Sequence, residues 1–195
     1  MVDDFLAGNR QFVQKEFKRD IDYYQGLAQS QHPKLLWIGC SDSRASEDII
    51  TGSKPGTIFV HRNVANIVAF NDVNIAAVLE YALNHLGIED VVVCGHYGCG
   101  GIQALLEGVD ENYIADWLLI ASGAKDAVER VEKERKLSRE EKLRLLAEEN
   151  VKLQIKHLRS FALIKNLEKR GQAPRLHGWM YSFDTGEINV LVDGR

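Results

Sequence analysis

The chain has 195 residues, of which 45% are hydrophobic and 27% are charged, and its formal net charge is −4 at pH 7. This length and composition are typical of one globular domain with a sizeable core, and an acidic balance without a basic block argues against nucleic acid as a partner. No apolar run approaches the roughly 20 residues of a membrane span.

The cysteine content and the first ten residues bear on the cellular compartment. Three cysteines are an odd number and do not predict a disulfide framework, so metal binding or catalysis is the expected use. The start, MVDDFLAGNR, has no signal-peptide apolar core. A cytoplasmic location is therefore predicted, or an organellar one if a presequence has been removed.

The first half of the chain alternates between predicted helices and strands. The apolar spacing of Phe5, Phe12 and Phe17 predicts an amphipathic helix in an arm at 1–30. Three short apolar runs predict strands buried on both faces: KLLWIG (34–39), TIFVHR (57–62) and DVVVCG (90–95). Residues 72–87 predict a helix with Asp72 as N-cap and Gly87 at its C-terminal position.

The second half is predicted to be mostly helical up to an antiparallel edge. The charged stretch ERVEKERKLSREEKLRLLAEENVKLQ does not sustain a heptad, so a solvated helical face is favoured over a coiled coil. RLHGWMYSF and EINVLV flank DTG, a hairpin turn signal. We expect a single α/β domain of about four parallel strands plus an antiparallel edge strand, flanked by helices. Its parts are the arm (1–30), a metal-site core (31–110), a helical region (111–172) and C-terminal strands (173–195).

Metal-type ligands follow two of the predicted strands. Cys40 ends the first strand, and His96 and Cys99 follow the third within CGHYGCGG (94–101). Parallel strands place such residues at one edge of the sheet, where α/β proteins bind ligands. His96 and Cys99 are three apart at the start of a predicted helix and can share its face. Two Cys and one His with an open fourth position form a recognised catalytic zinc set. A zinc enzyme is favoured, with a structural zinc site as the alternative.

Simpler interpretations compete with this one. A cysteine at a strand end is more often a small buried residue than a ligand, and Cys94 inside VVVC is predicted to be such a packed thiol. The glycine run 95–101 lacks both common phosphate-loop patterns. Asp42 and Arg44 would alone be an ordinary solvated pair, but beside Cys40 they become candidates for chemistry.

The motifs CSDSR (40–44), HRNVAN (61–66) and GHYGCGG (95–101) resemble those of the β-class carbonic anhydrases, over about residues 31–186. The resemblance implies a zinc lyase that interconverts carbon dioxide and bicarbonate by a zinc-bound hydroxide. It implies one Zn²⁺ per chain, held by Cys40, His96 and Cys99. Asp42 and Arg44 match the family's catalytic carboxylate–guanidinium pair, in which the carboxylate accepts the hydroxide's hydrogen bond.

The same resemblance implies a substrate pocket and an assembly. Phe59, Val64, Tyr81 and Gly100 would line a narrow apolar pocket for carbon dioxide, and Gln31 would reach in from a partner subunit. The N-terminal arm would embrace that partner in a homodimer, and dimers would pair into a homotetramer. From the sequence alone, Phe59 and Val64 would be core residues and Gln31 a loop residue ahead of a proline.

A further match concerns regulation. Trp37, Arg62 and Tyr181 match residues that bind bicarbonate in regulated members, where the aspartate, here Asp42, swings onto zinc as a fourth ligand in a closed state. The alternative is that Trp37 and Tyr181 are only core aromatics. Ala45 departs from the valine that several relatives carry, which bears on how the loop moves.

Two other functions compete with carbon dioxide hydration. Carbonyl sulfide or carbon disulfide hydrolysis on the same fold is the first, because both are linear triatomic molecules open to the same attack. A non-enzymatic, zinc-stabilised interaction scaffold is the second, although a purely structural zinc site needs no Asp42–Arg44 pair. No membrane partner is expected for any of them.

Overall fold

A computed structural model describes all 195 residues, which divide into two compact units, Met1–His32 and Pro33–Arg195. The first unit contains α1 (Val2–Phe12), a π-helical turn (Val13–Phe17) and α2 (Ile21–Leu27). Within it the rings of Phe17 and Tyr24 stack with centroids 5.2 Å apart. None of the residues in these helices is buried, so the apolar face predicted for the arm is exposed.

The second unit is built on a five-stranded sheet in the order β2-β1-β3-β4-β5. The strands are β1 (Leu35–Cys40), β2 (Ile58–Asn63), β3 (Asp90–His96), β4 (Arg175–Tyr181) and β5 (Ile188–Val192). The first four are mutually parallel, and β5 pairs antiparallel with β4. The predicted sheet of four parallel strands and one antiparallel edge strand is confirmed.

Seven helices follow or connect the strands of this unit. They are α3 (Glu47–Thr51), α4 (Val73–Glu80), α5 (Gly100–Glu107), α6 (Asn112–Leu118), α7 (Lys125–Glu134), α8 (Arg139–Ser160) and α9 (Ala162–Lys169). The Asp72 carboxylate accepts a 2.9 Å hydrogen bond from the Asn74 amide and caps α4 as predicted. A π-helical turn (Tyr81–His85) then extends this helix almost to Gly87, whose φ is +65°. None of the helices is long and apolar enough to span a bilayer.

The charged stretch predicted to be a solvated helical face also has a buried side. It spans parts of α7 and α8, and α8 buries a stripe against the sheet: Leu146, Ala147, Asn150, Val151, Gln154, Ile155 and Leu158. A Cβ on Gly95 would lie 2.8 Å from Val151, and one on Gly178 would lie 3.0 Å from it. The helix therefore approaches the strands as closely as glycine permits, and the prediction holds only for its outer face.

The opposite face of the sheet carries a smaller cluster. Trp37, Val92 and Cys94 are buried there, with Trp179 and Tyr181 packed beside them. The indole of Trp37 folds back over Gly39 and occupies the space that a Cβ at this position would need. The end of β1 thus separates two environments, with Cys40 in the main core and Trp37 in the smaller cluster.

Candidate metal centre

Three buried side chains from two strand ends meet at the carboxyl edge of the sheet. Cys40 is the last residue of β1, His96 is the last of β3, and Cys99 is the N-cap of α5. Their ligand atoms lie within 4.8 Å of one another, and the two Sγ atoms are 3.8 Å apart. Cys40, His96 and Cys99 together form what we call the metal-ligand group.

The route by which His96 and Cys99 meet differs from the prediction. His96 belongs to a strand and Cys99 precedes a helix, so the two do not share a helical face. The turn between them reverses the chain at Gly98, whose φ of +66° suits glycine. The helix-face prediction is wrong because the three-residue spacing is spanned by a turn.

The imidazole of His96 fits a metal ligand. Its Nδ1 lies 3.0 Å from the carbonyl oxygen of Tyr97, so this nitrogen carries the proton and donates it. Its Nε2 is buried and lacks a hydrogen-bond partner, although Asp42 Oδ2 lies 3.7 Å away. A buried imidazole nitrogen with no hydrogen-bond partner is rare unless it binds a metal, and one imidazole beside two thiols is a set of ligands that zinc prefers. The backbone carbonyl fixes the tautomer that a metal requires.

The two thiols of the group differ in acidity. A hydrogen bond from Cys99 lowers the pKa of the Cys40 thiol, and the backbone amides of Asp42 and Ala65 act in the same direction. The shared proton and burial raise the pKa of Cys99. A divalent cation would take the place of that proton. Cys94 is different, because burial raises its pKa and its thiol donates to the Gly95 carbonyl in the smaller cluster.

Asp42 and Arg44 form a bidentate pair beside the metal-ligand group. Arg44 Nε donates to Asp42 Oδ1 at 3.0 Å and its Nη2 donates to Oδ2 at 2.7 Å. The Arg44 amide also donates to Oδ1 at 3.0 Å. These contacts hold the pKa of the Asp42 carboxyl well below its usual range, so Asp42 stays an ionised hydrogen-bond acceptor at neutral pH.

A strained loop after β2 closes another side of the site. Ala65 and Asn66 have φ values of +62° and +48°, which is uncommon for residues other than glycine. From α8, Asn150 Nδ2 donates to the Ala65 carbonyl at 3.0 Å, and Gln154 Oε1 accepts from the Val68 amide at 2.8 Å. These bonds hold the loop whose Ala65 amide meets Cys40. The sequence signal was two polar residues four apart within an apolar helical stripe.

Of the predicted pocket residues, the structure brings Phe59 and Tyr81 into contact with each other. The rings of Phe59 and Tyr81 stack with centroids 5.8 Å apart. Val64 borders an open cleft of about 200 Å³ that is also lined by Tyr113, Ile114 and Trp117. The Trp117 indole donates to the Val64 carbonyl at 2.8 Å, a contact that sequence reasoning missed. Gly100 begins α5, and Gln31 belongs to the first compact unit.

The three residues proposed for bicarbonate lie in three strands: Trp37 within β1, Arg62 next to the end of β2 and Tyr181 at the end of β4. Trp37 packs edge-on against Trp179 with centroids 5.9 Å apart, and Tyr181 lies in the same cluster. Arg62 donates to the backbone carbonyls of Cys40 at 2.9 Å, Asp42 at 2.6 Å and Ala45 at 2.6 Å, at the end of β1 and in the loop that follows it. Its remaining Nη1 lies 3.6 Å from the Glu47 carboxylate. Arg62 therefore anchors the loop that presents Asp42.

Comparison with known proteins gives a consistent result. The carbonic anhydrase family profile matches residues 35–188. A carbonic anhydrase of Emericella nidulans is 34% identical over 191 residues, 97% of this chain and 82% of that protein. A tetrameric β-carbonic anhydrase of Sordaria macrospora superposes with a TM-score of 0.88 at 34% identity, covering 97% of this chain and 96% of the other. The Coccomyxa β-carbonic anhydrase, solved with acetazolamide, gives 0.91 at 31% identity, covering 99% and 87%.

Proposed function

The chain belongs to the β-carbonic anhydrase family, and from this premise we propose that it catalyses the zinc-dependent, reversible hydration of carbon dioxide to bicarbonate and a proton. The observation that carries the proposal is the orphaned Nε2 of His96, buried beside two thiols and 3.7 Å from a carboxylate that Arg44 holds. A scaffold that used zinc only for stability would not need an ionised carboxylate at that point.

The division of labour follows from the contacts. Cys40, His96 and Cys99 would hold one Zn²⁺, which supplies Lewis-acid chemistry that lowers the pKa of water to about 7. Ionised Asp42 can only accept a hydrogen bond. It therefore accepts one from the attacking water or hydroxide, which turns a lone pair of the attacking oxygen toward the substrate carbon. Arg44 fixes the direction of that carboxylate with two parallel hydrogen bonds.

The apolar side chains that the family resemblance assigns to the pocket suit a small, uncharged substrate. Phe59 and Tyr81 stack, and Val64 faces the opening beside Trp117. Apolar side chains offer carbon dioxide no hydrogen bond, so its orientation would depend on the backbone and on Asp42. Gly100, at the start of α5, places no side chain there, and a Cβ at this position would meet no atom within 4 Å. We assign Gln31 to the same pocket from a partner subunit.

Stopped-flow hydration of carbon dioxide by the zinc-loaded protein tests the proposal. Asp42→Asn is the informative variant, because it keeps the shape and the zinc ligands but can donate as well as accept. We expect full zinc content with hydration reduced by about 10²-fold or more. Uncatalysed hydration by the fully loaded wild type would favour the scaffold. Faster release of sulfide from carbonyl sulfide or carbon disulfide than hydration of carbon dioxide would favour the hydrolase.

Regulation by bicarbonate is a second part of the proposal. Arg62, Trp37 and Tyr181 are all donors, and bicarbonate is rich in acceptors. Because Arg62 now binds three carbonyls at the end of β1 and in the loop that follows it, an anion that drew its guanidinium away would loosen the loop that carries Asp42 and Arg44. Asp42, once free of Arg44, would join the metal-ligand group as a fourth ligand in a closed state.

Self-association is the third part. The Sordaria relative is described as tetrameric, and the arm of this chain leaves Phe5 and Leu6 78% and 55% exposed. We therefore propose a homodimer that buries this face, and a dimer of dimers as the larger assembly. A cytoplasmic location stays a prediction, since relatives include a chloroplastic and a mitochondrial form.

A further inference from the structure

The hairpin between β4 and β5 carries an aromatic ring into the neighbourhood of the metal-ligand group. The turn, predicted from DTG, is closed by a bond of 3.0 Å from the Ser182 amide to the Glu187 carbonyl and one of 2.8 Å from the Gly186 amide to the Ser182 carbonyl. Gly186 adopts a φ of +72°, which glycine tolerates. These bonds fix the position of Phe183, one residue into the turn.

The ring of Phe183 contacts two functional groups at once. The guanidinium carbon of Arg44 lies 4.5 Å from its centroid, and the imidazole of His96 meets it edge-on with centroids 5.2 Å apart. The ring of Tyr181 also packs edge-on against Phe183, with centroids 5.1 Å apart. Phe183 is partly buried by these contacts, and none of them was foreseen from the sequence.

Arg44 has few other restraints of its own. Its side chain is 57% exposed, and apart from Asp42 its only hydrogen bond is a long one of 3.4 Å to the Gly98 carbonyl. A long, exposed arginine loses considerable rotamer entropy when it is held in one geometry. The face of Phe183 limits that freedom, because a guanidinium within about 6 Å of a ring centroid is attracted to it.

We propose that Phe183 is a positioning residue for the Asp42–Arg44 pair. By holding the guanidinium, its ring keeps the two parallel hydrogen bonds formed and so keeps the Asp42 carboxylate, 3.7 Å from His96 Nε2, out of the metal-ligand group. The hairpin therefore biases the site toward the state in which the fourth metal position is available to water. This inference rests on the proposed function and names a residue that sets its regulation.

Hydrogen exchange at the arginine side chains tests the proposal directly. In the zinc-loaded protein labelled with ¹⁵N-arginine, the Nε–H signal of Arg44 is identified by its loss in Arg44→Lys. Phe183→Leu and Phe183→Met remove the ring with different shapes, and each should speed exchange at Arg44 by about two- to fivefold, the bias of a partly exposed cation–π contact. Phe183→Tyr keeps a ring and should exchange like the wild type.

Arg175 provides the control within the same spectra. It makes a comparable bidentate pair with Asp90, through bonds of 2.7 Å and 2.6 Å, and its exchange should not change in any Phe183 variant. A second readout is the visible spectrum of the cobalt-loaded protein, in which Phe183→Leu should increase the fraction of the closed, carboxylate-bound form. In the same variant, half-maximal inhibition should need a bicarbonate concentration about two- to fivefold lower than in the wild type.

Unchanged exchange at Arg44 in both Phe183→Leu and Phe183→Met would overturn the proposal, and so would a Tyr variant that exchanges as fast as they do. Loss of protection at Arg44 and Arg175 together would mean general loosening and would also overturn it. The proposed function fails separately: an Arg44-specific effect in a protein that does not hydrate carbon dioxide would leave the role of Phe183 standing.

Discussion

Asn150 and Ala65 lie 85 positions apart in the chain, yet the Asn150 amide donates a 3.0 Å hydrogen bond to the Ala65 carbonyl. Asn150 is 1% exposed and its Oδ1 is in turn bonded by Gln154 Nε2 at 2.7 Å. The long helix α8 thus holds a loop of left-handed backbone against the metal-ligand group. Strain of this kind persists only where the surroundings impose it.

We expect Asn150→Leu to destabilise the fold by about 2–3 kcal/mol, because it leaves buried groups of Ala65 and Gln154 without partners. Unfolding in guanidinium chloride measures the loss. Lys156→Ala, an exposed change on the same helix, should stay within about 0.5 kcal/mol of the wild type. Equal midpoints for Asn150→Leu and the wild type would show that the loop holds its conformation unaided.

Zinc content should depend on the residues of the metal-ligand group and not on the third cysteine, Cys94. Cys40→Ala and His96→Ala each leave two ligands and should lose both metal and activity. Cys94→Ala should keep one zinc per chain, because that thiol is buried in the smaller cluster and bonded to the Gly95 carbonyl. Elemental analysis of the purified variants gives the stoichiometry, and zinc loss in Cys94→Ala would contradict the ligand assignment.

Zinc binding should release protons and weaken as the pH falls. The hydrogen bonds to Cys40 lower its pKa and favour its thiolate, so this ligand gives up little of a proton when zinc binds. Cys99 has a raised pKa and must give up its proton, and because the pKa of His96 is also raised, any copies that carry a proton on Nε2 must lose it as well. We expect between about one and two protons released per zinc at pH 7.

Calorimetry in buffers of different ionisation enthalpy counts these protons. A count near zero would mean that both thiols are ionised before the metal arrives. Three protons would mean that Cys40 is a neutral thiol, contrary to the hydrogen bonds that it accepts.

Arg62→Ala tests the bicarbonate site. If the site operates, wild-type activity should fall steeply, with more than one proton involved, as the pH drops below about 8, and bicarbonate should inhibit beyond product competition. The variant should retain zinc while both effects weaken. Arg159→Ala removes an exposed arginine at the end of α8 and is the matched control. Unchanged steepness and inhibition in Arg62→Ala would assign these residues to packing alone.

The exposed face of the arm should be required for assembly. Phe5→Glu places a charge where an apolar side chain is 78% exposed, and we expect a shift toward monomer with loss of activity. Arg10→Glu, on an exposed part of the same helix, should leave the assembly intact. Sedimentation velocity with parallel assays decides, and an active monomer would remove the role of Gln31 in trans.

The sheet could be predicted because its signals are local. A strand buried on both faces appears as a continuous apolar run, and DTG between two strand-like segments specifies a hairpin. The position of Cys40 and His96 at neighbouring strand ends then follows from parallel pairing, since β1 lies between β2 and β3. Each of these steps needs only residues close in sequence together with the rules of sheet topology.

The support of the site could not be predicted in this way. Asn150 and Gln154 lie in a stretch so charged that a solvated face was favoured, and only the packing of α8 on the sheet turns them inward. Phe183 looked like one more strand aromatic, because its contact with Arg44 depends on how the hairpin and the loop that follows β1 are placed together. Such contacts join distant segments and leave no periodic signal.

The fold of the Trp37 indole over Gly39 constrains the order in which this chain can acquire mutations. Any side chain at position 39 would collide with the indole, so alanine there is tolerated only after Trp37 has been exchanged for a smaller residue. Exchange of Trp37 first is the open order, because a Cβ at position 39 no longer meets the indole, although that exchange itself loses the packing of a side chain that is 4% exposed. A deep mutational library should therefore contain folded variants with Trp37 replaced alone, and few with Gly39→Ala alone. The effect of the Gly39 substitution thus depends on the residue at position 37, on the same face of β1.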